Sequence, residues 1–327
     1  MIGGALFKAA VAIVLAVACA ASAAIVQGQT YPERPLRFVI PFPPGGGADN
    51  LARIVGISAA EKLGQQIVID NRAGAGGNIA AEVVAKAAPD GYTLLQANVS
   101  HAISTSLYRK LNYHLLQDFI PVTQLASIPF VLAVNNSLNV ASVKELIARA
   151  KAKPSELTYA SSGSGGPSHL AMELFKSMSG VDIRHIPYKG AVPGATDLMA
   201  GNVQMMFFTV SAALPLMSTG KLKCLAIASA RRSPLASDIP TVTESGLPGF
   251  EATTWFGVMV PRGTLAPVVT KLHDAFTGAL KAPEVRERVL RQGFDIVGSD
   301  PAAFASYVKA EIPKWAKVVK ASGASVD

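Results

Sequence analysis

Leu36-Arg37-Phe38-Val39-Ile40-Pro41-Phe42-Pro43-Pro44-Gly45-Gly46-Gly47-Ala48-Asp49-Asn50-Leu51 decides the fold. Its first five residues are a short apolar run of the kind a buried strand uses. Proline then stops the strand, and three glycines hand the chain to residues 48–63. There Leu51, Ile54, Val55 and Leu63 fall roughly on one helical face. A strand, a glycine loop and a helix are completed by another parallel strand, reached by a right-handed crossover.

The same grammar extends in both directions. Residues 67–70 read as a strand, Gly74-Ala75-Gly76-Gly77 as a loop, 79–87 as a helix and 92–97 as a third strand. In the middle of the chain, 143–152 is a helix and 157–160 a strand. The loop 161–166 leads into a helix over 167–179, with Pro167 at its first position and Gly180 as its left-handed stop. Further strands follow at 183–186, 203–208 and 222–229, with a short helix at 193–200. Helices at 267–280, 283–292 and 301–319 end the chain. The pattern predicts an α/β protein built of parallel βαβ units. Two extended segments, 121–134 and 254–261, are suited to carrying the chain between lobes. The expected division is 31–124 plus 254–327 for a discontinuous first lobe and 125–253 for the second. Two crossings make a hinge.

The 327 residues suffice for two such lobes. Residues 1–23 read as a secretory signal: Lys8 is the one charge before Glu33, residues 9–18 are wholly apolar, and Ala21-Ser22-Ala23 suits a signal peptidase. The expectation is therefore export, with cleavage near Ala23; a lipid anchor on Cys19 is the alternative. Removal of the signal leaves Cys224 as the only cysteine, set in an apolar run and read as a buried, inert thiol. Lys and Arg number 30 against 22 Asp and Glu, a formal net charge of +8. The basic residues are scattered, the densest pair being Arg231-Arg232, so nucleic acid is not expected as a partner.

The chemistry lies in the strand–glycine loop–helix junctions. Phe42, Pro44, Gly45, Gly46 and Gly47 form one, and Ser162, Ser164, Gly165 and Gly166 another. At such a junction the first N–H groups of the helix lack acceptors, and the helix dipole adds positive potential. Two loops of this kind in opposite lobes, each at the carboxyl end of a strand, point to an anionic ligand held between them. Asp49 sits in the first turn after the glycines, either satisfying the helix start or orienting a water or ligand amine. His169 stands similarly after Pro167, either facing the cleft or capping. Ser100, Tyr188 and Gly190 follow strand ends and complete the candidate binding set. Lys189 reads as a solvated loop residue.

Enzyme signatures fail. Ser162-Gly163-Ser164-Gly165-Gly166 approaches a nucleophile elbow, but its first position is Ser. Gly74-Ala75-Gly76-Gly77-Asn78-Ile79 lacks the last glycine of the dinucleotide fingerprint, and Gly220-Lys221 is followed by Leu222 rather than Ser or Thr. His101, His114, His185 and His273 show no metal-ligand spacing. No catalytic residue, metal or cofactor is expected. A secreted serine hydrolase using Ser162 or Ser164 is the alternative from another class, and a solute sensor of the same fold is a third.

An ordered set of segments also resembles a known family. Tyr31-Pro32-Glu33-Arg34-Pro35, the Pro43-Pro44-Gly45-Gly46 loop with Asp49 and Ala52-Arg53, and Asn71-Arg72-Ala73-Gly74-Ala75-Gly76-Gly77-Asn78 belong to it. So do Pro89-Asp90-Gly91-Tyr92-Thr93-Leu94-Leu95, Tyr159 to Gly165 through His169-Leu170-Ala171, Ile186-Pro187-Tyr188-Lys189-Gly190, and Trp255-Phe256-Gly257. Together they resemble the Bug (TctC-like) extracytoplasmic receptors of tripartite tricarboxylate transporters. Ser104-Thr105 departs from a common Asn-Pro. The resemblance implies a type II periplasmic binding protein, a monomer whose two lobes close on a small carboxylate. It implies backbone groups of 42–47 and 162–166 as holders and integral-membrane transporter subunits as partners. Ligands of the family range over di- and tricarboxylates, amino acids and aromatic acids.

Overall fold

A computed structural model describes residues 31–188 and 190–326. The proposed signal, Cys19 and Lys189 lie outside the described residues. The strands are β1 (Leu36–Ile40), β2 (Ile67–Asn71), β3 (Thr93–Asn98), β4 (Phe119–Asn135), β5 (Thr158–Ser161), β6 (Arg184–Pro187), β7 (Met205–Thr209), β8 (Leu222–Ile227), β9 (Thr253–Pro261) and β10 (Asp295–Ile296). The helices are α1 (Gly47–Leu63), α2 (Asn78–Ala85), α3 (Val99–Leu107), α4 (Val143–Ala152), α5 (Pro167–Ser179), α6 (Ala191–Ala200), α7 (Val210–Met217), α8 (Ala266–Lys281), α9 (Pro283–Arg291) and α10 (Pro301–Ser322).

The expected strand–loop–helix units form as read. Helix α3 and the Pro215-containing α7 are additions, each starting directly from a strand end. The expected crossings are strands. β4 is long enough to serve two sheets, pairing with β9 and β10 up to Pro129 and with β7 and β8 from Phe130 onward. Pairs linked through helices are parallel (β1 with β2 and β3, β5 with β6 and β7), while the pairs made by β4 and β9 are antiparallel. The result is a two-lobed α/β fold threaded by one shared strand.

Strand alternation divides the core. In β4, Phe130, Leu132 and Val134 pack on one side with α4, α5 and α10, while Val131 and Ala133 pack on the other with α6 and α7. This is the period-two pattern of a strand buried on both faces. In the first lobe, Phe38 and Ile40 face α1, α8 and α9, and Val39 faces α2 and α3. Helix α10 packs in one cluster with residues of both sheets. Its Glu311, almost fully buried, accepts hydrogen bonds from the indoles of Trp255 (3.1 Å) and Trp315 (2.8 Å) and pairs with Lys314 (2.8 Å). Trp255 belongs to β9, so the helix is held against that strand. No described helix is long and apolar enough to span a membrane.

Candidate functional site

Strand direction places the loops. β3 runs antiparallel to β9, and β9 antiparallel to β4, so β1, β3 and β4 point the same way. β7 runs antiparallel to β4 and parallel to β5. The carboxyl ends of β1 and β3 therefore face those of β5 and β7. The shared strand sets the spacing. Asn98 lies in the row of Phe256 and hence of Ala126, and Thr209 lies in the row of Phe130. Four residues of strand separate the two ends by about 13 Å, room for a small organic ion.

The two glycine loops have one backbone shape. Gly45 and Gly165 are left-handed, at φ +85° and +73°, which favours glycine. Gly46 and Gly166 follow in extended conformation (φ −78°, ψ 170° and φ −72°, ψ 166°) as helix caps without side-chain bonds. At the third helical residue Asp49 Oδ2 accepts the Gly45 N–H at 2.9 Å, and His169 Nδ1 accepts the Gly165 N–H at 3.0 Å. Helix α3 varies the theme, with His101 Nδ1 accepting the Asn98 N–H at 3.1 Å. One carboxylate and two imidazoles thus brace three loops.

These bonds settle how Asp49 and His169 are used. Asp49 is buried and fully engaged: Arg53 Nε donates to its Oδ2 at 2.9 Å, and Asn71 Nδ2 donates to its Oδ1 at 3.0 Å and to Phe42 O at 2.9 Å. Burial would raise its pKa, but the bonds from Arg53, Gly45 and Asn71 outweigh it and hold the carboxyl below the usual range. His169 is buried in a stack with His185 (ring centroids 4.0 Å apart) and Tyr159. Desolvation lowers its pKa and keeps the imidazole neutral. His101, wholly buried, is pushed down to about 4 by desolvation, and its Nε2 meets Gly77 O at 3.2 Å. With Nδ1 accepting, Nε2 carries the proton and donates to Gly77.

The remaining candidates fall on the same facing ends. Phe42 is half-buried against the first-lobe core, while Pro44, Gly45, Gly46 and Gly47 are exposed. Ser100, buried, gives its N–H to Asn98 Oδ1 at 2.8 Å. Ser162 Oγ lies 3.0 Å from Ser168 Oγ, and Ser164 is exposed. The Tyr188 hydroxyl turns to Asp197 at 2.6 Å, and the Gly190 N–H donates to Ser162 O at 3.1 Å. Gly165 touches the other lobe: a Cβ there would stand 2.5 Å from Leu107 Cδ2 of α3.

Sequence reasoning did not single out two further candidates. Asn98 is buried, and its Nδ2 has no acceptor among the described residues. An unpaired buried donor costs about 1–3 kcal/mol, so this amide is available to an oxygen-bearing guest. The start of α7 is the other, where Thr209 caps without a side-chain bond and faces the first lobe. An Asn three residues before a His, at a strand end, was the available signal for the first; nothing in the local sequence marked the second.

No Lys or Arg occurs at 41–49, 98–105, 161–169, 190–196 or 209–214. An anion between these ends would meet backbone N–H groups, helix dipoles and neutral side chains. The hydrolase alternative loses its footing here. Neither Ser162 nor Ser164 bonds an imidazole; the serine that does, Ser161 on His185 Nε2 at 2.6 Å, is completely buried. The described residues contain no group of three or more His, Cys, Asp or Glu able to hold a metal. Cys224 is buried, and desolvation pushes its thiol up to about 12.

Comparison with known proteins bears on this geometry. Residues 51–324 match the family model described as TctC, tripartite tricarboxylate transporter family receptor. Protein BugT of Bordetella pertussis is 39% identical over 312 residues, covering 95% of this chain and 96% of that protein. The solved structure of R. palustris Rpa4515 with adipate is 40% identical, with a TM-score of 0.79 over 90% of this chain and 99% of that one. MatC (Rpa3494) from Rhodopseudomonas palustris with bound malate is 35% identical, with a TM-score of 0.76 over 88% and 100%.

Proposed function

The chain belongs to the tripartite tricarboxylate transporter receptor family, TctC, a family of binding receptors and not enzymes, and from that membership we propose that it captures a small carboxylate between its lobes and delivers it to the membrane subunits of such a transporter. The observation that carries this reading is the pair of like-shaped glycine loops, at Gly45–Gly46 and Gly165–Gly166, on facing strand ends, with no Lys or Arg within 41–49 or 161–169. Backbone N–H groups hold the carboxylate, each charged hydrogen bond contributing about 1.5–3 kcal/mol. Asn98 Nδ2 and the start of α7 add donors from the two sides. The solved relatives hold adipate and malate, which supports a carboxylate for this chain.

The working cycle is lobe closure, favoured by contacts that the ligand makes only in the closed state. The pairing of β4 supports a first hinge crossing at Pro129/Phe130, a few residues beyond the boundary expected from sequence, and the ladder of β9 supports a second at its start, Thr253. The protein acts in the periplasm as a monomer after removal of its signal near Ala23.

A thermal-shift screen of mono-, di- and tricarboxylates, on protein first freed of co-purified ligand, tests the proposal. Ligand at one hundred times its Kd stabilises the folded state by about 2.7 kcal/mol. If no carboxylate raises the Tm, the reading fails.

A further inference from the structure

Beside the glycine loop, on the outside of the first lobe, an open groove of about 300 Å³ runs between α1 and α9. Arg53 and Ile54 form one wall, and Arg288, Arg291 and Gln292 the other, with no carboxylate among the lining residues. Arg291 pairs with Glu287 on its own helix, and Arg53 with Asp49; Arg288 has no ion pair among the described residues. The groove is thus a concentration of guanidinium groups in a chain whose other basic residues are scattered.

Two contacts tie this groove to the binding cleft. Arg53, half-exposed in the groove, shares Asp49 Oδ2 with the N–H of Gly45. A carboxylate arriving from outside and taking the Arg53 guanidinium would leave Asp49 a weaker brace for the loop. On the other wall, Gly293, just beyond α9, packs across the lobes: a Cβ there would lie 3.0 Å from Ser211 Cβ of α7 and 3.3 Å from Leu235 Cδ1. Pressure on α9 therefore reaches an interlobe contact.

We propose that the groove between α1 and α9 docks an acidic segment of the membrane protein that receives the ligand, and that Arg53 passes docking to the ligand loop, weakening its hold. This rests on the carboxylate-receptor reading for the identity of the partner. Guanidinium forks match peptide carboxylates two bonds at a time. Coupling is reciprocal, so bound ligand weakens docking by the same factor.

The probe is a fluorescein-labelled hexaglutamate peptide, titrated by anisotropy into the full mature protein at low and high salt. The wild type is expected to bind it in a salt-sensitive manner, and the Arg288→Gln/Arg291→Gln variant at least tenfold more weakly. Arg231→Gln/Arg232→Gln, the same charge change on the other lobe, is expected to bind as the wild type does. Absence of peptide binding, or equal weakening in both variants, overturns the docking site. So does Arg288/Arg291-dependent binding to vesicles containing phosphatidylglycerol without binding to the peptide. In the second arm, saturating peptide is expected to weaken the best carboxylate of the screen at least threefold in the wild type but not in Arg288→Gln/Arg291→Gln, whose own carboxylate affinity is unchanged. An unchanged wild-type affinity overturns the relay through Arg53. Because the first arm needs no ligand, a failed carboxylate screen and a failed docking site are separate results.

Discussion

Replacing Gly165 with alanine probes the point where the second lobe's glycine loop meets the first lobe. Two costs add. The residue is held at φ +73°, where an L side chain loses about 1–2 kcal/mol. The new methyl carbon would also lie 2.5 Å and 2.9 Å from Leu107 Cδ2 and Cδ1. Leu107 is nearly buried at the end of α3, so moving it costs about 1–3 kcal/mol. Together Gly165→Ala is expected to destabilise by about 2–5 kcal/mol, read by urea unfolding with an unchanged m-value. Only the second cost depends on Leu107. Leu107→Ala is itself expensive, about 2–5 kcal/mol, but it vacates the space that the methyl needs. The double variant should therefore be more stable than the sum of the single changes predicts, by about 1–3 kcal/mol. Carboxylate affinity of Gly165→Ala should fall as well, since the methyl holds the lobes apart. A Gly165→Ala protein within about 0.5 kcal/mol of wild type, or a strictly additive cycle, would falsify the reasoning.

Other substitutions separate loop shape from ligand contact. At Gly46, φ is −78° and the nearest atom to an added Cβ is Pro43 O at 3.8 Å. Gly46→Val should therefore change stability by less than about 1 kcal/mol yet weaken carboxylate binding at least tenfold by calorimetry; unchanged affinity would show that this loop does not hold the ligand. Asp49→Ala leaves the Gly45 N–H without its side-chain acceptor and Asn71 Nδ2 with Phe42 O alone, for an expected loss of about 1–3 kcal/mol in urea unfolding together with weaker binding, and a stable variant with normal affinity would deny it the bracing role. Part of the pH dependence comes from His101, in addition to the likewise lowered His169 and His185. The folded pKa of His101, about 4, lies below the ordinary 6.5, so as pH falls the unfolded chain takes the proton first. Stability is unaffected above about 6.5 and declines between 6.5 and about 4, at no more than about 1.4 kcal/mol per pH unit for this group. His101→Asn should flatten that decline, and an equal slope in both proteins counts against it.

How much of this was legible depended on how local the cause was. Short apolar runs between glycine loops gave β1, β5 and α5 nearly to the residue, because strand, turn and helix start are written in consecutive positions. The crossings 121–134 and 254–261 were visible as extended segments, yet nothing in them shows that β4 exchanges partners at Pro129. That is decided by strands far away in sequence. Helix α3, with three serines and the β-branched Val99, Ile103 and Thr105 among its nine residues, has weak propensity and is stabilised by the Asn98–His101 cap and by burial. At the site, both glycine loops were readable as junctions between a strand and a helix start. The duties of Asp49 and His169 were not: each has two plausible uses, and the choice rests on Asn71, Arg53, Tyr159 and His185, brought in by the fold.

The shared strand also dictates an order of assembly. In an exported chain emerging amino end first, β1, β2 and β3 can pair at once, but Asn98 must wait for Phe256 and Phe119 for Pro261. The partners of β5, β6, β7, β8 and the far half of β4 all lie before β9, so the second lobe's strand pairing can finish while the first still has open strand edges. Open edges are templates for pairing with other chains, and ladders between distant residues close slowly. A chain cut short before Thr253 would keep those edges, whereas one that reaches Pro261 seals both with a single strand.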